Sequence, residues 1–279
     1  MPELPEVETI RRGVVPALVG RSVAAVHVYD RRLRWPVPRD LERALPGRRV
    51  AAIDRRSKYL LFRMATPDGV PPGQATLLVH LGMTGSLRIH AGAPARMLHD
   101  HVDVVFDDGT TLRYRDPRRF GTILWIPGDA AGHPLLSRLG PEPFSTAFDA
   151  ESLYRATRGR RAAIKLALMD NRLVVGVGNI YANEALFRAG IRPTRAAGRL
   201  SRARLAGLAD AVRKTLAEAI DKGGSTLRDY VDAAGEPGAF QLEYAVYGRE
   251  GLPCPACGTP VRAIRQGQRS TFYCPTCQT

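Results

Sequence analysis

Residues 100–127 read DHVDVVFDDGTTLRYRDPRRFGTILWIP. Short runs rich in Val, Thr, Leu and Tyr are separated here by Asp-Gly and Asp-Pro pairs, which is the pattern of successive antiparallel strands. The pair Asp108-Gly109 favours a tight hairpin turn. Similar runs begin near residue 21, in SVAAVHVYD, VAAIDRRSKYLLFRM and ATLLVHLGMTGSLRIH. Residues 21–126 therefore predict a β-sandwich or a β-barrel.

Helical patterns flank this strand-rich region. VETIRRGVVPALVG predicts one N-terminal amphipathic helix, with Pro16 near its end or at a kink. Residues from about 147 to 223 again show helical spacing, and TPDGVPPGQA predicts a polar surface loop among the strands. We therefore expect an α+β fold in which an N-terminal β-sandwich domain precedes a helical domain and a small cysteine-bearing module. The expected boundaries are 1–135, 136–240 and 241–279.

Four cysteines lie at the C-terminal end as two C-x2-C pairs, Cys254 with Cys257 and Cys274 with Cys277. Each such pair can provide two thiolates to a tetrahedral zinc ion, while the residues between the pairs form a two-stranded hairpin. Four thiolates leave no open coordination position, so we expect one structural Zn²⁺ with no catalytic role. Two disulfide bonds are the alternative, but a disulfide framework is usually spread along a chain.

The chain has a formal net charge of +14, from 41 Lys and Arg against 27 Asp and Glu. A balance this basic favours a polyanionic partner, and nucleic acid is the leading candidate. The alternative explanation for the positive charge is that the proteins of the source organism are rich in arginine in general. No stretch approaches the roughly 20 apolar residues that span a bilayer, and the N-terminus lacks the pattern of a signal peptide. We therefore expect a soluble, cytoplasmic protein that does not bind membranes.

A basic segment precedes a glycine-rich turn in the helical region. Residues 153–172 contain one acid, Asp170, among six bases: Arg155, Arg158, Arg160, Arg161, Lys165 and Arg172. The turn GVGN leaves backbone N–H groups at the start of the next helix, which suits a phosphate, and Asn179 is predicted to cap that helix. A capped helix pair with a solvated basic face is the alternative. Together with the cysteine module and the net charge, the pattern favours DNA binding.

The chain resembles the bacterial formamidopyrimidine-DNA glycosylase family over essentially its full length. The matching stretches are PELPEVETIRRG, RRSKYLL, HLGMTGSLR, HDHVD, DPRRFG, LGPEP, MDNRLVVGVGNIYANEALFRAGI, GGSTLRDY and QRSTFYCPTCQ. The resemblance implies a β-sandwich joined to a helix-two-turn-helix domain and a zinc finger, with damaged double-stranded DNA held between them. We expect a monomer without a small-molecule cofactor, associated with the bacterial nucleoid through DNA.

The resemblance implies removal of oxidised purines, 8-oxoguanine and formamidopyrimidines, followed by cleavage of the abasic strand. Pro2 matches the family's nucleophile, which acts through its free α-amino nitrogen once Met1 is removed. Glu3 matches an acid–base residue, and Lys58 matches the proton donor in β-elimination. Arg269 matches a residue at the tip of the zinc hairpin, near the phosphate lost in δ-elimination.

The resemblance also implies which residues contact DNA. Met83, Arg118 and Phe120 match three side chains that fill the gap left by an everted base. Four residues match positions that contact DNA, mainly its sugar-phosphate backbone: His99, Arg118, Arg160 and Asn179. HDHVD has a metal-like pattern, because a strand would place His99, His101 and Asp103 on one face, but the strand pattern itself disfavours a second metal site. GGSTLRDYVDAAGEPGAF resembles a lid that closes over the damaged base.

Two alternatives stay open. A sibling branch that acts on oxidised pyrimidines shares the architecture but typically begins PEGPE, whereas this chain begins with PELPE after Met1. A catalytically silent DNA-binding protein could keep the zinc ribbon, although it would have no need to retain Pro2, Glu3 and Lys58 together.

Overall fold

The N-terminal helix α1 (Leu4–Leu18) begins almost at the chain end in this computed structural model, which describes residues 2–65, 75–225, 233–234, 236 and 238–279. Its apolar residues recur at helical spacing and form one buried stripe: Leu4, Val7, Ile10, Val14 and Leu18. Pro16 lies within the last turn, as predicted. Pro5 is compatible with the first turn of α1 because the N–H that proline lacks has no helical partner there.

Eight strands follow and form two four-stranded antiparallel sheets. One sheet has the order β1-β6-β7-β5, with strands Val23–Val28, Asp100–Phe106, Thr110–Arg115 and Ser86–Ala91. The other has the order β2-β3-β4-β8, with strands Arg49–Arg56, Tyr59–Ala65, Ala75–His80 and Thr122–Pro127. Buried side chains of both sheets and of α1 form one hydrophobic core. The predicted β-sandwich is confirmed.

The strand-rich region also contains a one-turn helix, α2 (Leu41–Ala44), which was not predicted. Only Leu41 of this helix is buried, so four residues carry too little periodic signal to be recognised in a sequence. The loop TPDGVPPGQA lies outside the described residues except for its last residue, Ala75, which begins β4.

The helical region contains four helices: α3 (Ala150–Thr157), α4 (Ile164–Leu168), α5 (Asn179–Arg188) and α6 (Arg202–Asp221). The sequence pattern from residue 147 to 170 predicted a helical segment, but the structure divides it into α3 and α4. Gly159 has a φ of +71°, a left-handed conformation that ends α3. Among the described residues, no helix is long and apolar enough to cross a membrane.

The cysteine module contains a two-stranded antiparallel hairpin, β9 (Arg262–Gln266) and β10 (Arg269–Tyr273). The two turn residues, Gly267 and Gln268, both have positive φ values, of 53° and 62°. Two successive left-handed residues form the tight turn that suits the twist of paired strands.

The chain folds into two compact units. One comprises the described residues within Met1–Ser137 and Gly223–Ala239, and the other comprises Arg138–Lys222 and Phe240–Thr279. The described residues between 223 and 239 therefore group with the β-sandwich, whereas the predicted boundaries assigned them to the middle domain. The division into three domains at 135 and 240 stays a prediction.

Candidate active site and nucleic-acid interface

The chain terminus is held by acidic side chains at the start of α1. Glu3 is the N-cap residue and forms a reciprocal capping box with Glu6: the Glu3 backbone N–H donates to Glu6 Oε2 at 2.6 Å. Glu6 Oε1 accepts the backbone N–H of Ser225 at 2.8 Å. Pro2, Glu3 and Glu6 are all buried. The residues that follow Met1 are therefore ordered by specific contacts, whereas Met1 itself lies outside the described residues.

The third acid of the opening stretch, Glu8, has a different environment. Its carboxylate accepts hydrogen bonds from Arg11, at 2.7 Å from Nη2, and from Arg55 Nε, at 3.0 Å. Burial alone raises the pKa of Glu8, but the hydrogen bonds and charges of Arg11 and Arg55 outweigh burial and hold this pKa below its ordinary value. Arg55 Nη1 also donates to the Ser57 carbonyl at 3.0 Å. This chain of contacts attaches the β2–β3 turn, which carries Lys58, to α1.

Lys58 lies in the tight turn between β2 and β3, directly after Ser57, whose φ is +56°. The next residue, Tyr59, pairs with His80 across β3 and β4, and their ring centroids are 4.8 Å apart. Burial, followed by the charges of Lys58 and Arg34, lowers the pKa of His80 to about 4. His80 is therefore neutral at pH 7.

The tautomer of His80 follows from its neighbour. His80 Nδ1 accepts the backbone N–H of Gly82 at 3.1 Å, so the proton of the neutral ring is assigned to Nε2. His80 is thus a neutral hydrogen-bond donor next to Lys58. It was not predicted as a site residue. The sequence signal that could have identified His80 is its position as the first residue of HLGMTGSLR, the stretch that also contains Met83.

Two loops of the β-sandwich bring together three predicted DNA-contacting residues. Met83 lies between β4 and β5, and Arg118 and Phe120 lie between β7 and β8. Met83 and Phe120 are 37% and 44% exposed, so neither side chain belongs to the hydrophobic core. The Arg118 guanidinium lies 4.8 Å from the centroid of the Phe120 ring. The sequence pattern without the resemblance would have placed Met83 and Phe120 in the core, and the structure places both at the surface.

His99 lies just before β6 and has a φ of +72°. Its carbonyl accepts the backbone N–H of Asp116, at 3.1 Å. His101 has both ring nitrogens within 3.1 Å of backbone carbonyls, those of Asp30 and Asp116, and Asp103 pairs with Arg113. His101 and Asp103 therefore bind different partners, and the cysteines are the one metal-binding group found among the described residues.

In the other unit, Arg160 forms an ion pair with Asp170, with 3.0 Å between Nη1 and Oδ2. The predicted cap on α5 is wrong: Gly178 is the N-cap residue and Asn179 is the first helical residue. Asn179 instead donates from Nδ2 to the Ser270 carbonyl, at 3.1 Å. The glycine provides the extended backbone of the cap without a side chain.

The zinc hairpin is bound to the helices of its own unit by polar contacts. Lys165 Nζ donates to the Ser270 carbonyl at 3.0 Å and to Thr271 Oγ1 at 2.6 Å, although Lys165 is fully buried. Asn183 Oδ1 accepts the Phe272 N–H at 2.8 Å. Arg269, the first residue of β10, is exposed beside these anchored residues. Its backbone is thereby fixed while its side chain meets solvent.

The four cysteine sulfurs have the geometry of a tetrahedral zinc site. They all lie within 4.8 Å of one another, with 3.9 Å between Cys254 and Cys277 and 3.5 Å between Cys257 and Cys274. Four thiolates at about 2.3 Å from a central Zn²⁺ would be about 3.8 Å apart. The residues therefore fit one structural zinc ion, as predicted.

This combination defines a class: a zinc-finger protein whose β-sandwich carries a buried proline-glutamate terminus and whose other unit is helical. Three domain-family models match the chain. They are the formamidopyrimidine-DNA glycosylase N-terminal domain over residues 1–123, its H2TH domain over 139–231, and a zinc finger found in FPG and IleRS over 251–279. The chain belongs to the formamidopyrimidine-DNA glycosylase family.

Individual relatives agree with this assignment. The chain is 59% identical to the formamidopyrimidine-DNA glycosylase of Cupriavidus pinatubonensis and 57% identical to that of Paraburkholderia phytofirmans, over the whole of both chains in each case. It is similar to the crystal structure of MutM (FPG) from Thermus thermophilus, with a TM-score of 0.85, 43% identity, and coverage of 99% and 98%. Lactococcus lactis Fpg in complex with abasic-site DNA gives a TM-score of 0.89, 33% identity, and 99% coverage of both chains.

Proposed function

We propose that this protein is a base-excision DNA-repair enzyme that removes oxidised purines from double-stranded DNA and then cleaves the abasic strand. The observation that carries the proposal is the terminus itself, where Pro2 and Glu3 are buried and held by the capping box with Glu6. A solved complex of Lactococcus lactis Fpg contains Fapy-dG DNA, which supports an oxidised purine as the substrate. We infer that the protein acts at the nucleoid in the bacterial cytoplasm.

Pro2 is the nucleophile in this proposal, after Met1 has been removed. A free α-amino group titrates near about pH 8, so an appreciable fraction is neutral at pH 7. The proline nitrogen attacks C1′ of the damaged nucleotide and forms a C–N bond, and the bond from C1′ to the base breaks. The departing base takes a proton, and opening of the sugar gives a cationic Schiff base. Glu3, adjacent to Pro2, serves as the acid–base residue for the sugar.

The Schiff base makes strand cleavage possible because it withdraws electrons from C2′. A base takes a C2′ proton, the C3′–O bond breaks, and the 3′ phosphate leaves in β-elimination. Lys58 is the proposed donor of a proton to the leaving phosphate oxygen. In a second elimination a C4′ proton is lost and the C5′–O bond breaks, and Arg269 stabilises the phosphate that leaves. Zinc supplies no step of this chemistry: when bound by the four cysteines, it stabilises the hairpin from which Arg269 projects.

An enzyme that acts on a base must first remove it from the stack, at a cost of a few kcal/mol. We propose that Met83, Phe120 and Arg118 fill the resulting gap, because the two loops that carry them are in contact, Met83 and Phe120 are exposed, and the Arg118 guanidinium lies over the Phe120 ring. His99, Arg160 and Asn179 are proposed to contact the DNA, mainly its phosphates. Within GGSTLRDYVDAAGEPGAF, the segment proposed as a lid, residues 226–232, 235 and 237 lie outside the described residues.

Borohydride trapping tests the reaction. The full chain, with removal of Met1 verified by intact-mass measurement, is mixed with an 8-oxoguanine duplex and sodium borohydride, which reduces a Schiff base to a stable amine. We expect a covalent adduct that maps to the Pro2 nitrogen and is absent from protein that retains Met1, in which this nitrogen is an amide, while the nearby Pro5→Ala variant, which keeps the free terminal nitrogen, still forms it. Absence of the adduct from the wild-type protein would refute the proposal. Faster release of an oxidised pyrimidine than of 8-oxoguanine would instead favour the sibling specificity.

A further inference from the structure

Asp116 lies at the start of the β7–β8 loop and is fully buried, although carboxylates seldom lie inside a fold without compensating hydrogen bonds. Its Oδ2 accepts the backbone N–H of Gly121 at 2.8 Å. Its Oδ1 accepts the hydroxyl of Thr84 at 2.7 Å and the backbone N–H of Arg118 at 3.3 Å. One carboxylate therefore binds both ends of its own loop and also a second loop, since Thr84 belongs to the β4–β5 connection.

Thr84 strengthens this connection. Its hydroxyl donates to Asp116 and also accepts the backbone N–H of Arg118 at 3.2 Å. A single hydroxyl thus joins the residue next to Met83 to the backbone of Arg118, across 34 positions of sequence. A local turn formed by Asp116 would account for its contact with Arg118, but not for the bond to Thr84 or for the one to Gly121.

The backbones of the two loops are also packed directly together. A Cβ atom placed on Gly82 would lie 2.4 Å from the carbonyl carbon of Phe120, and one on Gly121 would lie 1.7 Å from Tyr114 Oη. Real Cβ atoms essentially never approach so closely, so both positions require glycine. The loops that carry Met83, Arg118 and Phe120 therefore have little freedom to move independently of each other.

From this geometry we propose that Asp116 and Thr84 are positioning residues for base eversion. They hold Met83, Arg118 and Phe120 as one preorganised unit that enters the DNA when the damaged base leaves. The inference rests on the void-filling role given to those three side chains under the proposed function. Preorganisation matters because ordering these three side chains costs conformational entropy. If they were mobile, their contacts with the DNA would have to offset that entropy as well as the cost of unstacking the base.

The test compares substitutions that alter one bond at a time. Thr84→Val removes the hydroxyl and keeps the shape, while Thr84→Ser keeps the hydroxyl. Asp116→Asn keeps one acceptor oxygen and turns the other into an amide that cannot accept. Thr111→Val is the matched control. Thr111 is buried in β7, outside both loops, and its hydroxyl donates to the Gly92 carbonyl at 2.7 Å, the same distance as the bond from Thr84 to Asp116.

Two substrates separate eversion from chemistry. We expect Thr84→Val and Asp116→Asn to slow excision of 8-oxoguanine from a duplex about tenfold, since loss of about 1.4 kcal/mol from the transition state has that effect. Cleavage of the same duplex with a preformed abasic site should change less than twofold. Thr84→Ser should recover most of the excision rate, and Thr111→Val should match the wild type on both substrates.

A double-mutant comparison links the effect to the wedge. If Thr84 acts through Met83, Thr84→Val should have little further effect in a Met83→Ala background, whereas an unrelated loss of stability would add. Wild-type excision rates in both Thr84→Val and Asp116→Asn, while Met83→Ala is slow, would overturn the inference and leave the proposed function intact. Normal excision by both Met83→Ala and Phe120→Ala would instead refute the void-filling role itself.

Discussion

The carboxylate of Glu6 accepts the backbone N–H of Ser225 at 2.8 Å, although 219 positions of sequence separate the two residues. The other oxygen of Glu6 accepts the N–H of Glu3. One buried side chain thus connects the terminus that carries the proposed nucleophile to the segment that follows α6. Gly224 lies so close that a Cβ atom there would be 2.9 Å from Glu6 Oε1. The proposed nucleophile and the first residues of the proposed lid segment therefore share a single anchor.

Glu6→Gln should impair both functions of this anchor. An amide offers one acceptor oxygen, so one of the two backbone N–H groups would face an NH₂ group and lose its partner. We expect unfolding free energy to fall by about 2 kcal/mol, the scale for a buried hydrogen bond to a charged group. Borohydride trapping at Pro2 should fall at least about tenfold, by displacement of the nucleophile.

Urea denaturation and trapping kinetics measure these two effects. Glu250→Gln is the matched control, because Glu250 is exposed and lies in the other unit. Trapping at the wild-type rate by a folded Glu6→Gln variant would show that the Glu6 contacts do not position Pro2.

His80 gives a prediction about pH. Its folded-state pKa is lowered to about 4, whereas a histidine in the unfolded chain titrates near about 6.5. As the pH falls below 6.5 the unfolded chain gains a proton that the folded protein does not accept until about pH 4. The contribution of His80 to stability is therefore fully present above pH 6.5 and is lost between pH 6.5 and 4, with a slope of at most about 1.4 kcal/mol per pH unit.

An NMR titration of the His80 ring should give a pKa near 4. The variant His80→Gln should show a flatter dependence of unfolding free energy on pH across the same window. Lys58→Met should raise the pKa of His80, because the nearby ammonium is one of the charges that lower it. A His80 pKa near 6.5 in the wild-type protein would contradict this account.

The sequence was informative where the physics is local or periodic. Short β-branched runs divided by Gly, Pro and Asp identified the strand-rich region, helical spacing identified α1, and the spacing of the cysteines identified the zinc site. Long-range contacts between a side chain and the backbone have no such signal. Nothing near Glu6 indicates that it binds Ser225, and nothing in DPRRFG indicates that Asp116 binds Thr84. Those pairs exist only once the sheets have formed.

Local competition explains the errors. Between α3 and α4 the helical pattern continued through GRRAA, but Gly159 adopts a left-handed conformation and ended the helix. At α5, Asn179 is a favourable capping residue, yet Gly178 occupies the cap and frees the Asn179 amide to bind Ser270. His80 was missed because its lowered pKa depends on its burial and on the proximity of Lys58, and a sequence shows neither of these.

Arg160 should contribute to the salt dependence of DNA binding. Each phosphate contact made by a cation adds about 0.9 to the slope of log K against log salt, through release of counterions. Arg160→Gln should therefore reduce the slope by about 1, together with the affinity for undamaged duplex. Arg21→Gln is the control, since Arg21 is half-exposed and pairs with Asp108 in the β-sandwich unit. Fluorescence anisotropy over roughly 50 to 200 mM salt measures these slopes. Equal slopes for Arg160→Gln and the wild type would show that Arg160 does not contact the DNA.

Zinc should determine the structure of the hairpin without taking part in the reaction. Native mass spectrometry should find one zinc ion per chain, and Cys254→Ser should lose it because three thiolates bind zinc more weakly than four. Without zinc, β9 and β10 lose the cross-link that closes the hairpin, and the contacts from Lys165 to Ser270 and Thr271 lose their fixed partner. Duplex binding should then be abolished while the near-ultraviolet signal of the two tryptophans, Trp35 and Trp125, both in the β-sandwich unit, is retained. Thr276→Ala is the control, because it removes an exposed hydroxyl and methyl group beside the cysteines and leaves all four thiolates in place. Full DNA binding by zinc-free Cys254→Ser would show that the hairpin is not part of the interface.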